Sequence, residues 1–142
     1  MKAAKVLLLV VSFLLLVPGL SLAQVNSYPV DVPGTNVHFF LMRYEGATPP
    51  YAAIQTVWER IGRVFHEWSL AGRDPQTMSA QDVSVGRTEG GQVAVMLKGQ
   101  LIVTIDDFHA QYNRATPTQL AEKWAANLRD GVTAFVEINE QK

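Results

Sequence analysis

The sequence predicts an α+β domain, a two-layer sandwich with an antiparallel sheet of three or four strands and two helices on one face, in the order β-α-β-β-β-α. Two stretches place apolar residues at alternating steps of three and four, the repeat of an amphipathic helix. Between them lie short runs rich in β-branched residues, punctuated by Gly90-Gly91 and Lys98-Gly99. Each helical stretch has one dominant apolar stripe, and stripes of that kind are buried most simply against a sheet.

Taken in chain order, Gln24 to Tyr28 reads as a loose tail, and Val30-Asp31-Val32 as a short strand stopped by the turn signal Pro33-Gly34. Val37 to Met42 reads as a strand with Phe39 and Phe40 on opposite faces, because side chains alternate along a strand. Thr48 is placed to cap the first helix, with Pro49 and Pro50 in its opening turn, where their missing donors leave nothing unpaired. Tyr51, Ile54, Trp58, Ile61, Phe65 and Trp68 form its inner stripe, widened by Val57 and Val64. Gly62 inside this helix costs about 1 kcal/mol relative to alanine, which implies close packing at that point. Ala71-Gly72 ends the helix.

Asp82 to Gly86, Val93 to Leu97 and Leu101 to Ile105 read as three strands of an antiparallel meander, the last two joined by a tight turn at Lys98-Gly99. A loop from Asp106 to Ala115 follows. The second helix opens at Pro117, with Thr116 and Gln119 spaced as a capping box. Leu120, Trp124 and Leu128 form its apolar row, with Ala121, Ala125 and Val132 beside it; it ends at Gly131 or runs on towards Phe135.

The start of the chain has the anatomy of a secretory leader. Lys2 and Lys5 precede an apolar run from Val6 to Val17, Pro18-Gly19 breaks it, and Ser21-Leu22-Ala23 supplies small residues before a cut at Gln24. The run is shorter than the ~20 residues that span a bilayer. The expected organisation is therefore a signal peptide over 1–23 and one exported domain over 24–142, periplasmic or secreted, with no stable membrane anchor after cleavage. With no cysteine, disulfides, thiolate zinc sites, a cysteine nucleophile and a lipidated cysteine are all excluded. A net charge of −1 without a basic cluster offers nothing to nucleic acid.

Asp106, Asp107 and His109 are the densest polar cluster, and two carboxylates with an imidazole are metal-ligand types. Their spacing matches no standard metal loop, and an aspartate that closes a strand by bonding nearby backbone explains the same residues. His38 and His66 have no serine and acid assigned to them, so no hydrolytic triad is read. Glu59 and Glu67, among Arg60 and Arg63, read as an ion-paired helix face. Tyr51, Trp58, Phe65, Trp68 and Trp124 read as core first and as a ligand pocket second. No catalytic residue, cofactor or metal is assigned.

A two-residue turn at Lys98-Gly99 sets Met96 opposite Leu101 and Ala94 opposite Val103, leaving Val95 against Ile102 and Val93 against Thr104 on the other face. Both faces of this hairpin are then apolar, while two helices cover one. Val93, Val95, Ile102 and Thr104 are accordingly expected to form an uncovered face that pairs with another protein or a second copy.

The segment from Leu101 to Ala110, followed by Thr116 to Ala125 and Leu128-Arg129, resembles the small extracytoplasmic α+β domain that precedes the channel in some bacterial, cyanobacterial-type mechanosensitive-channel-like proteins. Val103-Thr104, Asp107, Leu120-Ala121, Trp124-Ala125 and Leu128-Arg129 carry the likeness over about thirty residues. The resemblance implies an accessory module outside the cytoplasm with no catalytic residues. The expected function is an exported, non-enzymatic module that acts through protein contacts or self-association. The alternative is a small-ligand or metal-binding protein using Asp106, Asp107, His109 and nearby aromatics.

Overall fold

The computed structural model describes residues 23–140, so the expected leader, apart from its last residue, lies outside the described residues. An antiparallel hairpin comes first, β1 (Val25–Asp31) with β2 (His38–Glu45). Its first strand starts at Val25, where a loose tail was expected, because Val25 to Val30 pair continuously with Glu45 to Phe40. The turn carries Gly34 at φ +75°, a backbone state that glycine adopts without strain. The Phe135 ring packs 3.3 Å from where a Cβ at Gly34 would lie.

The first long helix, α1 (Tyr51–Leu70), buries Ile54, Val57, Ile61, Val64, Phe65 and Trp68, the core of the stripe read from its spacing. Thr48 does not cap it: Pro50 occupies the cap position with no side-chain hydrogen bond, and Tyr51 N–H bonds the Pro49 carbonyl. At the other end Gly72 is left-handed, its N–H donates to the Ser69 carbonyl, and Arg73 N–H donates to that of Trp68, the two bonds of a Schellman closure. The close approach expected at Gly62 is absent among the described residues, none of which comes within 4 Å of a Cβ built there.

A 3-10 turn, Ala80–Asp82, leads into a second antiparallel sheet of β3 (Val83–Arg87), β4 (Val93–Leu97) and β5 (Gln100–Thr104), in that spatial order. Lys98 and Gly99 both take positive φ, as a two-residue hairpin turn requires. A short helix, α2 (Asp107–Tyr112), occupies the expected loop. The last helix, α3 (Pro117–Asn139), opens on the Thr116–Gln119 capping box and runs through Gly131.

The strands form two sheets where one was expected, and α3 packs against both, touching β2, β3 and β4. The other long helix, α1, lies along β5. There Arg60 Nη1 donates to the Ile102 carbonyl at 3.2 Å and Gln100 Nε2 to Glu67 Oε2 at 3.1 Å. The helix thus covers the outer edge of the sheet, which would otherwise offer unpaired backbone to another chain. Two aromatic groups join the layers. Phe40 stacks on Trp124 at 4.1 Å beside Phe39, and Phe65 stacks on Phe135 at 3.8 Å beside Trp68.

Each sheet contains one bulge, and each bulge changes what is buried. In β2 the register slips so that Val30 faces Phe40 while Asp31 faces His38. Phe39 is the extra residue, and both Phe39 and Phe40 turn into the core. In β5 the slip falls at Ile102: Met96 faces Leu101 as expected, but Val95 faces Val103 and Ala94 faces Thr104. Ile102 and Val103 are both buried, together with Val93, Val95, Leu97 and Ile105.

Candidate functional site

The expected uncovered face is not open. Val95 and Ile102 are fully buried, Val93 is buried, and Thr104 is half-buried. The opposite side of the hairpin carries the buried Ala94 and the half-buried Met96 and Leu101. Val93, Ala94, Val95, Leu97, Ile102 and Val103 are therefore shielded within one chain.

Asp106, Asp107 and His109 do come together, as the opening of α2. Asp106 is its cap residue, accepting the His109 N–H at Oδ1 over 2.7 Å. Asp107 follows in the first turn, exposed. The imidazole is 5% exposed and packs edge-on to Trp124, ring centroids 5.6 Å apart. Its Nδ1 is 2.8 Å from the same Asp106 oxygen, and its Nε2 accepts the backbone N–H of Arg43 at 2.9 Å. An amide N–H can only donate, so Nε2 holds the lone pair and Nδ1 the proton that goes to Asp106. Both ring nitrogens are thus committed to joining α2 to β2, and neither has a lone pair free for a metal ion. Among the described residues no group of three or more histidine, aspartate or glutamate side chains is placed to hold one.

His38 pairs with Asp31 at 3.2 Å at the exposed end of the first hairpin, and His66 is exposed on α1. Among the described residues the ion-paired face expected on α1 does not form. Glu59 accepts from Gln55, Glu67 from Gln100, and Arg60 bonds the Ile102 backbone. Trp58 is half-buried and donates from Nε1 to the Asp31 carbonyl; Tyr51 is exposed.

The distinctive surface lies at the end where β2, α2 and the start of α1 meet. Five large hydrophobic side chains are exposed among the described residues, and three of them are here: Tyr51 at 56%, Tyr112 at 45% and Phe108 at 37%. Tyr51 meets Tyr28 edge-on at 5.7 Å. The Arg43 guanidinium lies 4.6 Å from the centre of the Tyr112 ring, within cation–π range. No carboxylate pairs with Arg43 among the described residues, and its Nε is buried without a hydrogen-bond partner. Between Arg43, Tyr44, Pro50, Ala53 and Phe108 runs an open groove of about 440 Å3. Sequence reasoning did not single out Arg43 or Tyr112. The signal for α2 was present, since Phe108 and Tyr112 are four apart and so share one helix face.

A protein-family model described as a domain of unknown function (DUF8459) matches residues 40–135, more than half of the chain. No curated protein and no solved structure matches it.

Proposed function

The chain belongs to the DUF8459 family, and we propose that it is an exported, non-enzymatic accessory module that acts through protein contacts, made at the aromatic–arginine end of the domain. One observation carries this reading: Tyr112 lies exposed against an arginine that has no ion-pair partner among the described residues, the exposed Phe108 lines a groove with that arginine, and Tyr51 is exposed at the start of α1. Tyrosine, phenylalanine and arginine are enriched at protein interfaces, where a rigid ring or a planar guanidinium is desolvated with little loss of conformational freedom. Exposed aromatics on one end of a domain, one of them lining a groove, are the pattern expected of a contact site.

Three further points support the reading. The leader-like start and the likeness to an extracytoplasmic accessory domain favour a place outside the cytoplasm. The densest polar cluster is used up in capping α2 and tying it to β2. The contact surface also sits on an end of the domain that α2 holds in place through His109, so it is preformed.

The test compares the protein with its Phe108→Ser/Tyr112→Ser variant. Both side chains are exposed, so the variant is expected to keep its melting temperature. Sedimentation at rising concentration separates self-association from capture of a different protein. Loss of association, or loss of partner recovery from the envelope fraction of the source cells, is expected in the variant. Equal association and equal recovery in both proteins would contradict the reading.

A further inference from the structure

We infer that the partner presents an extended acidic segment to the outer edge of β2, where one residue of backbone and one carboxylate are recognised together; this deepens the reading above and rests on it. Among the described residues the strand β2 pairs on one side only, with β1. On its other side Arg43 N–H is held by His109, and the Phe39 carbonyl by Asn127 Nδ2 at 2.9 Å. Backbone direction alternates along a strand, so Leu41, two residues from each, also turns its N–H and carbonyl away from β1. Its cross-strand neighbour is Pro29, which has no N–H to give. Neither backbone group of Leu41 has a partner among the described residues. An unpaired donor and acceptor on one residue are what an added extended chain engages.

The space beside Leu41 has a matching charge. A notch of about 220 Å3 is lined by His38, Leu41, Arg43, Asn113, Lys123 and Asn127, together with two aromatic rings, and no acidic residue lines it among the described residues. Arg43 and Lys123 have no ion-pair partner among the described residues. The nearby carboxylate of Asp31 is engaged by His38. A glutamate or aspartate in a segment bonded to Leu41 would place its carboxylate between the two cations. The bonds from His109 and Asn127 close the edge on either side, so the open stretch is one residue long. The geometry thus fits a short extended segment and not a full added strand.

The test titrates two acetylated, amidated hexapeptides into the 15N-labelled protein. One alternates valine and glutamate; the other has glutamine in place of glutamate. The glutamate peptide is expected to shift the Leu41 amide resonance and to bind about tenfold more tightly than the glutamine peptide. Lys123→Gln, at an exposed position, is expected to remove most of that difference without changing the melting temperature. Equal affinities for the two peptides, or a Leu41 amide that does not move, would overturn the inference. If partner recovery still depends on Phe108 and Tyr112 while Leu41 stays silent, the inference falls and the proposed function stands.

Discussion

The backbone N–H of Arg43 donates to Nε2 of His109, 66 residues further along the chain, at 2.9 Å. This one bond ties β2 to α2 and accounts for a buried imidazole in a cluster that resembles a metal site in sequence alone. Removing the ring would leave a strand N–H without its acceptor and a gap beside Trp124. His109→Ala is expected to destabilise the domain by about 2–4 kcal/mol, read by urea unfolding. His109→Gln can offer its amide oxygen to the Arg43 N–H and is expected to lose less. Unchanged stability in His109→Ala, with zinc raising the melting temperature of the unaltered protein, would restore the metal reading.

The shielding of the β4–β5 hairpin reverses a natural expectation for its variants. Were Val95 and Ile102 on an open face, lysine there would be harmless and would reduce association. Both are fully buried, so Val95→Lys and Ile102→Lys force an unpaired charge into the core. Each is expected to cost more than about 4 kcal/mol, and circular dichroism should show an unfolded or aggregated product. A folded, soluble Ile102→Lys protein with an unchanged melting temperature would contradict the observed register.

Two helix glycines are expected to respond in opposite ways to alanine. At Gly131 a Cβ would overlap a methyl of Val32, so Gly131→Ala forces α3 away from the first hairpin and should cost about 1–3 kcal/mol. Val32→Ala in the same chain should recover part of that loss, seen as a coupling term in a double-mutant cycle. At Gly62 a Cβ meets nothing, and Gly62→Ala should stabilise α1 by about 0.5–1 kcal/mol. Thermal unfolding of the variants checks both signs.

Much of the fold was legible because its signals are local. The α1 stripe, the Thr116–Gln119 cap, the bounds of β4 and the Lys98-Gly99 turn all follow from spacing within a few residues. What was missed depends on partners far away in sequence. Phe39-Phe40 and Ile102-Val103 read as alternating because a strand has period two, and nothing local announces the extra residue that turns both of each pair inward. The strand at Val25–Asp31 is set by β2, not by its own propensity, and it contains a proline. Gly131 was read as a possible end of the helix, and the reason it is glycine lies in Val32. For the site, Asp106, Asp107 and His109 were recognised as a cluster, but their role depends on Arg43 in another strand. Tyr112 escaped notice because the six-residue α2 offers a single i, i+4 pair and no longer periodic stripe.

Contacts are expected at the end around Arg43 and not on exposed apolar side chains in general. A photo-crosslinking phenylalanine analogue distinguishes these when placed at Phe108 in one protein and at Leu70, also exposed, in another. After irradiation in the source cells, a discrete adduct is expected from position 108 and none from position 70. Adducts of equal yield from both positions, or none from position 108, would contradict it.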